Sequence, residues 1–376
     1  MDQKLKFPDY ENGLANLAQS VLKNFGIREK GQKTLACVDT FLEKEYENIV
    51  VFLLDGMGSR IMEKNLEETG FFRSHMKCSY SSVFPPTTVA ATTSIRSGLK
   101  PCEHGWLGWD CYYPWIDQNV TVFTNMKTGT SIPAADYNVA EKYCGYETVV
   151  ERINRRGGEA YEVMPFAEPF PKTMEEICGQ VEMLCIKPGK KYIYAYWNEP
   201  DSTMHETGCY SSQTKQIMRK LEQQVQALSD KLEKTLLIVT ADHGLVDTQN
   251  VSITDYPDIM ECLVRMPSIE PRALNLFVKK EKKEQFEKAF RKAFDGSFLL
   301  LTKEQVIEKR LFGVEAEHPD FREMLGDYLA VGTGDLTIFS SRGRSRLFCR
   351  SPCRTAGRRD ADSADCGGKG VKFTDR

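Results

Sequence analysis

The chain has 376 residues, of which 41% are hydrophobic and 27% are charged, and this composition is typical of a folded globular protein. A formal net charge of −3 and an isoelectric point near 6.1 argue against a nucleic-acid scaffold and against binding to an anionic membrane surface. No apolar run reaches the length of a membrane span, and the N-terminal residues lack the hydrophobic core of a signal peptide, so we expect a cytoplasmic protein.

The 12 cysteines are scattered along the chain, and none forms a Cys-x-x-Cys pair, which argues against a zinc knuckle. A chain of this length without a signal peptide does not fit an exported disulfide framework. We therefore expect reduced, mostly structural thiols, and we expect any metal ion to bind Asp and His side chains.

The first part of the chain predicts helices that alternate with strands. Apolar residues at helical spacing between Leu14 and Phe25 predict an amphipathic helix. The continuous apolar run from Asn48 to Leu54 is typical of a strand buried on both faces, and Asp55-Gly56-Met57-Gly58 follows it. A second strand is predicted from Lys77 to Phe84. Residues 106–135 are rich in Trp, Tyr and Pro without a clear period, and they are predicted to form a structured loop over a cleft.

The second predicted strand leads into a helix that begins with adjacent threonines. Pro85 and Pro86 hold the backbone extended, Thr87 or Thr88 can act as the N-cap, and Gly98 ends the helix. A hydroxyl at a helix N-terminus can meet a phosphate group, because the free N–H groups and the helix dipole favour negative charge there. Capping alone is the commoner role of such a threonine, so this stretch by itself does not establish a nucleophile.

The rest of the chain predicts further alternation of strands and helices. The predicted elements, in order, are a strand at Tyr192–Tyr196, a helix marked by Ile217, Leu221, Val225, Leu228 and Leu232, a strand at Leu236–Thr240, a strand at Ala273–Val278, a helix marked by Phe286, Phe290 and Phe294, a strand at Phe298–Leu301, a helix capped by Thr302 and Gln305, and two short strands within Tyr328–Phe339.

This order of elements predicts an α/β fold with a central, mostly parallel sheet flanked by helices on both faces. In such sheets the chemistry gathers beyond the carboxyl ends of the strands. Three of the predicted strand ends carry polar residues that can bind metal ions. These are Asp55, Asp201 with His205, and Asp242 with His243.

These side chains match the ligands of a divalent metal centre. Asp201 and His205 are four residues apart at the start of a predicted helix, so both can lie on one face. Carboxylate oxygens and imidazole nitrogens are ligands that Zn²⁺ accepts and Mn²⁺ tolerates. Two such clusters with Asp55 suggest two metal ions that flank a nucleophile. The alternative is that each pair belongs to an ordinary turn or helix cap.

Four short runs in sequence order resemble the alkaline phosphatase superfamily, in particular its type I phosphodiesterase / nucleotide pyrophosphatase branch. The resemblance covers about residues 48–340. The runs are Leu54-Asp55-Gly56-Met57-Gly58; Phe84-Pro85-Pro86-Thr87-Thr88 with Ser97-Gly98-Leu99 and Glu103-His104-Gly105; Glu199-Pro200-Asp201-x-x-x-His205-x-x-Gly208; and Ala241-Asp242-His243-Gly244.

The resemblance implies a metal-dependent hydrolase that cleaves phosphodiester or pyrophosphate bonds in nucleotide-like small molecules. The family nucleophile stands ten residues before the Gly of the Ser-Gly-Leu run, which selects Thr88 over Thr87, Thr92 and Thr93. The implied reaction is attack by the Thr88 hydroxyl on phosphorus, followed by hydrolysis of the phosphothreonine-type intermediate. Two divalent ions, zinc with manganese as the alternative, are the implied cofactors. Their implied ligands are Asp55, Thr88, Asp242 and His243 for one ion and Asp201 and His205 for the other.

The chain departs from the family pattern in two places. The family completes its second metal site with a His near the C-terminus, whereas this chain has 5 His residues and none follows His318. His318 lies before the predicted final strands and is therefore a poor substitute for that ligand. The family often has an Asn after the His-Gly turn, where this chain has Trp109, which can stack on a base or pack under a loop. Glu103 and His104 match the pattern, and we expect them to hold the turn after Leu99.

We expect one catalytic domain over residues 1–340, in which residues 265–325 could form a cap or insert. From residue 341 to the end the sequence is basic and lacks apolar periodicity, so we expect a disordered tail, whose sharp onset resembles out-of-frame translation. The alternatives to the diesterase are a phosphomonoesterase, a phosphonate hydrolase or a phosphomutase of the same superfamily. A catalytically impaired copy without the C-terminal ligand is the alternative from a different class.

Overall fold

A computed structural model of the chain describes residues 6–28, 30–314 and 316–341, together with the backbone of residues 371–375. These residues divide into two compact units. The first, called the site unit below, comprises residues 8–99 and 147–245 with the strand at 371–375. The second unit contains residues 100–146 and 246–341, so the segment 265–325, predicted as a possible cap, falls within it.

The described strands are numbered in chain order. They are β1 (Asn48–Leu54), β2 (Met76–Cys78), β3 (Asp110–Tyr113), β4 (Gln118–Thr121), β5 (Met126–Lys127), β6 (Glu159–Val163), β7 (Lys191–Trp197), β8 (Thr235–Thr240), β9 (Gln249–Ser252), β10 (Ser268–Glu270), β11 (Ala273–Leu276), β12 (Phe298–Thr302), β13 (Tyr328–Gly332), β14 (Leu336–Phe339) and β15 (Val371–Asp375).

The described α-helices are numbered in the same way. They are α1 (Leu14–Asn24), α2 (Ala36–Leu42), α3 (Ser59–Asn65), α4 (Phe71–Ser74), α5 (Thr88–Ser97), α6 (Pro101–His104), α7 (Val139–Tyr143), α8 (Val149–Arg155), α9 (Met174–Cys185), α10 (Asp201–Thr207), α11 (Ser212–Lys231), α12 (Pro257–Met260), α13 (Lys283–Phe294), α14 (Lys303–Glu308) and α15 (Phe321–Met324).

The site unit is built on a six-stranded sheet in the order β2-β15-β8-β1-β7-β6. Strand β1 lies at its centre and pairs in parallel with β7 on one side and with β8 on the other, and β6 pairs in parallel with β7. All seven residues of β1 are buried, as the continuous apolar run predicts for a strand covered on both faces. The predicted α/β fold around a mostly parallel sheet is confirmed.

Helices cover both faces of this sheet. On one face, α9 and α11 contribute apolar side chains to a core that includes Val50 and Phe52 of β1 and Ile193 of β7. On the other face, α8 packs against β6 and β7, and α5 packs against α1 and α8. The apolar residues at helical spacing in α11, predicted from the sequence, face this core because a buried stripe stabilises a surface helix.

The second unit is built on an antiparallel sheet in the order β12-β13-β11-β10-β3-β4-β5. Helix α13 buries Phe286, Phe290 and Phe294 against this sheet, as their spacing predicts. The capping box of Thr302 and Gln305 at the start of α14 is also confirmed. Residues 106–135 differ from their predicted loop, because they contain β3, β4 and β5, which are too short to show a period of two.

The strand predicted from Lys77 to Phe84 is shorter in the structure, where β2 ends at Cys78. The backbone beyond it bonds to the N-terminal segment instead of to a sheet. The N–H of Ser81 donates to the carbonyl of Asn12, and the N–H of Phe84 donates to the phenol oxygen of Tyr10. Hydrogen bonds to the N-terminal segment thus replace the strand pairing that the apolar residues predicted.

The C-terminal tail forms a strand at its end. Strand β15 pairs antiparallel with β8 over Val371–Asp375 and with β2 over Val371 and Lys372. The prediction of a disordered tail is wrong for these residues, because backbone hydrogen bonds to a free sheet edge need no apolar periodicity. Residues 342–370, where the same prediction was made, lie outside the described residues.

A disulfide bond links Cys37 of α2 to Cys78 of β2, with their Cα atoms 6.6 Å apart. The expectation of reduced thiols therefore does not hold for this pair, although the other described cysteines are free. None of the described helices combines the length and the apolar character that a membrane span needs.

Candidate active site

Three neighbouring strands of the site unit bring the predicted polar residues to one edge of the sheet. Asp55 directly follows β1, Asp242 and His243 follow β8, and Asp201 begins α10 after β7. The parallel register pairs the last residues of these strands, so their carboxyl ends meet. Backbone hydrogen bonds join the loops, since the N–H of Asp55 donates to Trp197 and the N–H of Asp201 donates to the carbonyl of Asp55.

Thr88 is the first residue of α5, with Thr87 as its N-cap. Its Oγ1 atom lies 3.1 Å from Nε2 of His243 and 3.4 and 3.5 Å from the two carboxylate oxygens of Asp55. The hydroxyl of Thr92 instead donates to the backbone carbonyl of Thr88 at 2.6 Å. Thr88 therefore directs its hydroxyl at the acidic cluster from a helix N-terminus.

The imidazole of His243 is oriented by the backbone of the next residue. Its Nδ1 atom lies 3.0 Å from the carbonyl oxygen of Gly244. Because a carbonyl oxygen only accepts hydrogen bonds, Nδ1 carries a proton and Nε2 faces the cluster. Nε2 lies 3.2 Å from Oδ1 of Asp55 and 3.7 Å from Oδ2 of Asp242.

Asp242 is held by backbone donors through one oxygen. Its Oδ1 atom accepts hydrogen bonds from the N–H groups of Gly56, at 3.1 Å, and His243, at 2.8 Å. The hydroxyl of Ser82 donates to the backbone carbonyl of Asp242. The other carboxylate oxygen, Oδ2, is buried and has no hydrogen-bond partner among the described residues.

Gly56 makes the close approach of two of these loops possible. It has a φ of +71°, and a Cβ atom at this position would lie 2.9 Å from Cβ of Asp201. Both the left-handed backbone and the short distance exclude a larger residue without a shift of the loops. The glycine of the Asp-Gly-Met-Gly run is therefore needed to bring Asp201 next to Asp55.

Asp201 and His205 lie one helical turn apart, as predicted, with 3.4 Å between Oδ2 of Asp201 and Nε2 of His205. The other oxygen of Asp201, Oδ1, is buried without a hydrogen-bond partner among the described residues. Asp201 also joins the first cluster, because one ligand atom each of Asp55, Asp201 and His243 lie within 4.8 Å of one another. The His205 side chain is 42% exposed.

The residues present fit a divalent cation. Two buried carboxylate oxygens, on Asp201 and Asp242, have no donor among the described residues, and an unpaired buried carboxylate is costly. The donor set of carboxylate oxygens and one imidazole nitrogen suits zinc or manganese. A cation between these groups would satisfy the oxygens that the protein leaves unpaired.

Protons compensate for part of the crowded negative charge when no cation is bound. Burial and the neighbouring carboxylates of Asp242 and Asp201 raise the pKa of Asp55 well above its usual value, although His243 opposes the shift. Burial lowers the pKa of His243, but the carboxylates of Asp242, Asp55 and Asp201 outweigh it and raise that pKa well above its usual value. Both shifts favour the protonated forms of these groups, which a bound metal ion would oppose.

Sequence reasoning missed Tyr196, the last tyrosine of β7. Its phenol donates a hydrogen bond to Oδ2 of Asp55 at 2.5 Å, and its ring is buried. Tyr192, Tyr194 and Tyr196 occupy every second position of the strand and therefore lie on the same face of the sheet. Their pattern alone does not distinguish the tyrosine that contacts a site residue.

Three other residues of the sequence analysis lie in the second unit. Both ring nitrogens of His318 are engaged there, Nε2 with the carbonyl of Tyr143 and Nδ1 with the N–H of Asp320. Glu103 and His104 have the expected structural roles, because their side chains accept hydrogen bonds from the N–H groups of Lys100 and Trp106.

Trp109 also lies in the second unit, where its side chain is 41% exposed. Its indole packs edge to face against Phe123, with ring centroids 5.8 Å apart. Its backbone N–H donates to the carboxylate of Glu270 at 2.7 Å. Trp109 is thus a partly exposed member of an aromatic pair.

Comparison with known proteins gives one family and several similar folds. The sequence profile of the type I phosphodiesterase / nucleotide pyrophosphatase family matches residues 49–343. A search of curated proteins found no match to this chain.

Solved structures resemble this chain over most of its length. Murine ectonucleotide pyrophosphatase / phosphodiesterase 5, an inactive variant in complex with AMP, has a TM-score of 0.61 at 16% sequence identity, covering 88% of this chain and 87% of that chain. The human counterpart has the same TM-score, identity and coverage. Phosphonoacetate hydrolase from Sinorhizobium meliloti, in complex with phosphonoformate, has a TM-score of 0.59 at 15% identity, covering 88% of this chain and 89% of that chain. At these identities the likeness establishes the fold alone.

Proposed function

The chain belongs to the type I phosphodiesterase / nucleotide pyrophosphatase family, a family of hydrolases within the alkaline phosphatase superfamily, and from this we propose that it hydrolyses phosphodiester or pyrophosphate bonds of nucleotide-like substrates with Thr88 as its nucleophile. The observation that carries the proposal is the hydroxyl of Thr88, which faces His243 and Asp55 from the N-terminus of α5. A helix N-terminus favours the negative charge of a bound phosphoryl group.

Asp55, Asp201, Asp242 and His243 are the residues that would hold divalent metal ions, with His205 and Thr88 at the edges of the cluster. Bound there, a divalent cation supplies positive charge that neutralises the phosphoryl oxygens and lowers the pKa of a neighbouring hydroxyl. We propose zinc as the native metal and manganese as the alternative, because the set combines carboxylate oxygens with imidazole nitrogens. Two ions per chain follow from the family pattern.

The residues of this chain have separate tasks in the proposed reaction. The Oγ1 atom of Thr88 attacks phosphorus, the leaving group departs on the opposite side, and a phosphothreonine ester forms. Water then cleaves the ester and restores the threonine hydroxyl. Gly244 keeps the proton of His243 on Nδ1, and the backbone donors of Gly56 and His243 keep Asp242 in one orientation.

An exposed aromatic side chain supports a nucleotide-like substrate. Phe166 follows β6 at the same edge of the sheet as the cluster, is 73% exposed, and its ring lies 6.2 Å from that of Tyr196. Tyr196 in turn contacts Asp55, so the exposed ring lies near the cluster. Aromatic rings of this kind stack on nucleobases, and one structural neighbour is a complex with AMP.

The experiment that tests the proposal compares bis(p-nitrophenyl) phosphate with p-nitrophenyl phosphate as substrates of the full chain supplied with Zn²⁺ or Mn²⁺. We expect metal-dependent turnover with a clear preference for the diester. A strong preference for the monoester would contradict the diesterase proposal and favour the phosphomonoesterase alternative. Failure to bind any divalent metal would favour the impaired copy, in which the missing C-terminal ligand disables the site.

The location of the protein is part of the same proposal. We propose the cytoplasm, whereas a disulfide such as Cys37–Cys78 persists best in an oxidising compartment. Trapping the thiols by alkylation in freshly lysed cells tests this. A reduced pair supports the cytoplasm, and an oxidised pair contradicts it.

A further inference from the structure

Tyr196 has a contact that no strand-forming role requires. Its phenol hydroxyl is 2.5 Å from Oδ2 of Asp55, and both side chains are more than nine-tenths buried. Tyr196 lies in β7, and Asp55 directly follows the neighbouring strand β1, in which Leu53 pairs in register with Tyr196. The contact therefore rests on the sheet itself and not on a mobile loop.

This hydrogen bond distinguishes the two oxygens of Asp55. Oδ2 accepts the hydrogen bond from the phenol, whereas Oδ1 faces Nε2 of His243 at 3.2 Å. A carboxylate that accepts a fixed donor on one oxygen presents the other in one orientation, and outer hydrogen bonds of this kind orient metal ligands in proteins. Among the described residues, the other side-chain contacts of Asp55 are with Thr88 and His243.

We propose that Tyr196 is a positioning residue that orients Asp55 for cation binding by donating a hydrogen bond from its phenol hydroxyl to Oδ2. This inference rests on the proposed function, since it assigns a role within the same metal site. Tyr196 acts through Asp55 and does not itself ligate the cation or react with substrate. The loss of its hydroxyl should therefore weaken metal binding before it affects anything else.

The chain contains a matched control on the same strand. Tyr194 lies two residues earlier and faces the same side of the sheet, and its hydroxyl is buried without a hydrogen-bond partner among the described residues. Tyr194→Phe removes a buried hydroxyl that bonds to none of the described residues, and Tyr196→Phe removes one that bonds to a site residue. Both variants keep the aromatic ring, so their packing changes are comparable.

The test is calorimetric titration of Zn²⁺ into metal-free full-length wild type, Tyr196→Phe and Tyr194→Phe. We expect Tyr196→Phe to bind Zn²⁺ about 10- to 100-fold more weakly than wild type, the usual effect of removing an outer hydrogen bond to a ligand. Tyr194→Phe should bind as wild type does. At saturating Zn²⁺, turnover of Tyr196→Phe should recover towards the wild-type value, which a misfolded variant would not do.

Binding by Tyr196→Phe within about twofold of Tyr194→Phe, a difference below roughly 0.4 kcal/mol, overturns the positioning role. So does an equal effect of Tyr196→Phe in an Asp55→Asn background, because a residue that acts through Asp55 must lose its effect there. If Tyr196→Phe does not fold, Tyr196→Met, which also lacks the hydroxyl, is compared with Tyr194→Met instead. A wild-type chain that binds no Zn²⁺ contradicts the proposed function instead, so the two failures are distinct.

Discussion

The hydroxyl oxygen of Thr88 lies 3.1 Å from Nε2 of His243, although the two residues are 155 positions apart in the chain. One comes from the first turn of α5 and the other from the loop after β8. The proposed nucleophile and the proposed metal-binding imidazole are thus brought together by the fold and not by sequence proximity.

Replacing His243 with Gln should lower kcat/KM by at least about 100-fold and weaken Zn²⁺ binding, because one proposed ligand nitrogen is lost. The measurement is metal-dependent turnover of bis(p-nitrophenyl) phosphate. His75→Gln is a suitable control, since the ring of His75 contacts the carbonyl of Phe71 on α4. Equal rates for the two variants would contradict the role of His243.

The metal-free protein should become less stable as the pH rises through the neutral range. The raised pKa of Asp55 means that the folded state holds a proton which the unfolded chain releases above about pH 4. The raised pKa of His243 likewise contributes stability that is fully present below about pH 6.5 and is lost as the pH rises through the folded value. Both shifts have the same sign, so the free energy of unfolding decreases with rising pH.

Thermal unfolding of the chelator-treated protein between pH 6 and pH 8.5 measures this effect. We expect the Tm to fall by at least about 3 °C, the change that roughly 1 kcal/mol produces in a unit of this size. Saturating Zn²⁺ should remove the decrease, and Asp55→Asn should reduce it. A metal-free Tm that is constant or rises over this range would contradict the stated pKa shifts.

Phe166→Ala should weaken the preference for a nucleoside substrate. Stacking of one base on an aromatic ring contributes about 1–3 kcal/mol, so KM for the p-nitrophenyl ester of thymidine 5′-monophosphate should rise about 5- to 100-fold. KM for methyl p-nitrophenyl phosphate, which has the same leaving group and no base, should change little. Ile186→Ala removes another exposed apolar side chain, on the turn after α9, and is the control. Equal changes for both substrates would rule out stacking on Phe166.

The sequence was sufficient to predict the parallel sheet and the strand ends that carry Asp55, Asp201 and Asp242, because continuous apolar runs followed by polar turns are local patterns. The helix after Thr87 was predictable for the same reason. Tyr196 was not, because its contact with Asp55 depends on the register between two strands far apart in the chain. The strand at Val371–Asp375 was not predictable either, since it rests on backbone pairing with β8.

The bond between Cys37 and Cys78 should stabilise the site unit, because it closes a loop with a sequence separation of 41 residues. Loops of this size restrict the unfolded chain by about 3–4 kcal/mol in the chain-entropy account. Urea unfolding of wild type and of the double variant Cys37→Ser/Cys78→Ser measures the difference. A reducing agent should lower the stability of wild type and leave the variant unchanged; an equal response of both proteins would contradict a structural disulfide.

The central claim is that Thr88 is the nucleophile. It is tested most directly by measuring the kcat of Thr88→Ala relative to wild type with bis(p-nitrophenyl) phosphate as substrate. Thr88→Ser, which keeps a hydroxyl, is the matched variant, and the bound metal in all three proteins is determined alongside. We predict that Thr88→Ala loses at least about 1,000-fold in kcat while it retains metal and fold, and that Thr88→Ser retains measurable turnover. A Thr88→Ala protein with a kcat within about tenfold of wild type at equal metal content would contradict Thr88 as the nucleophile.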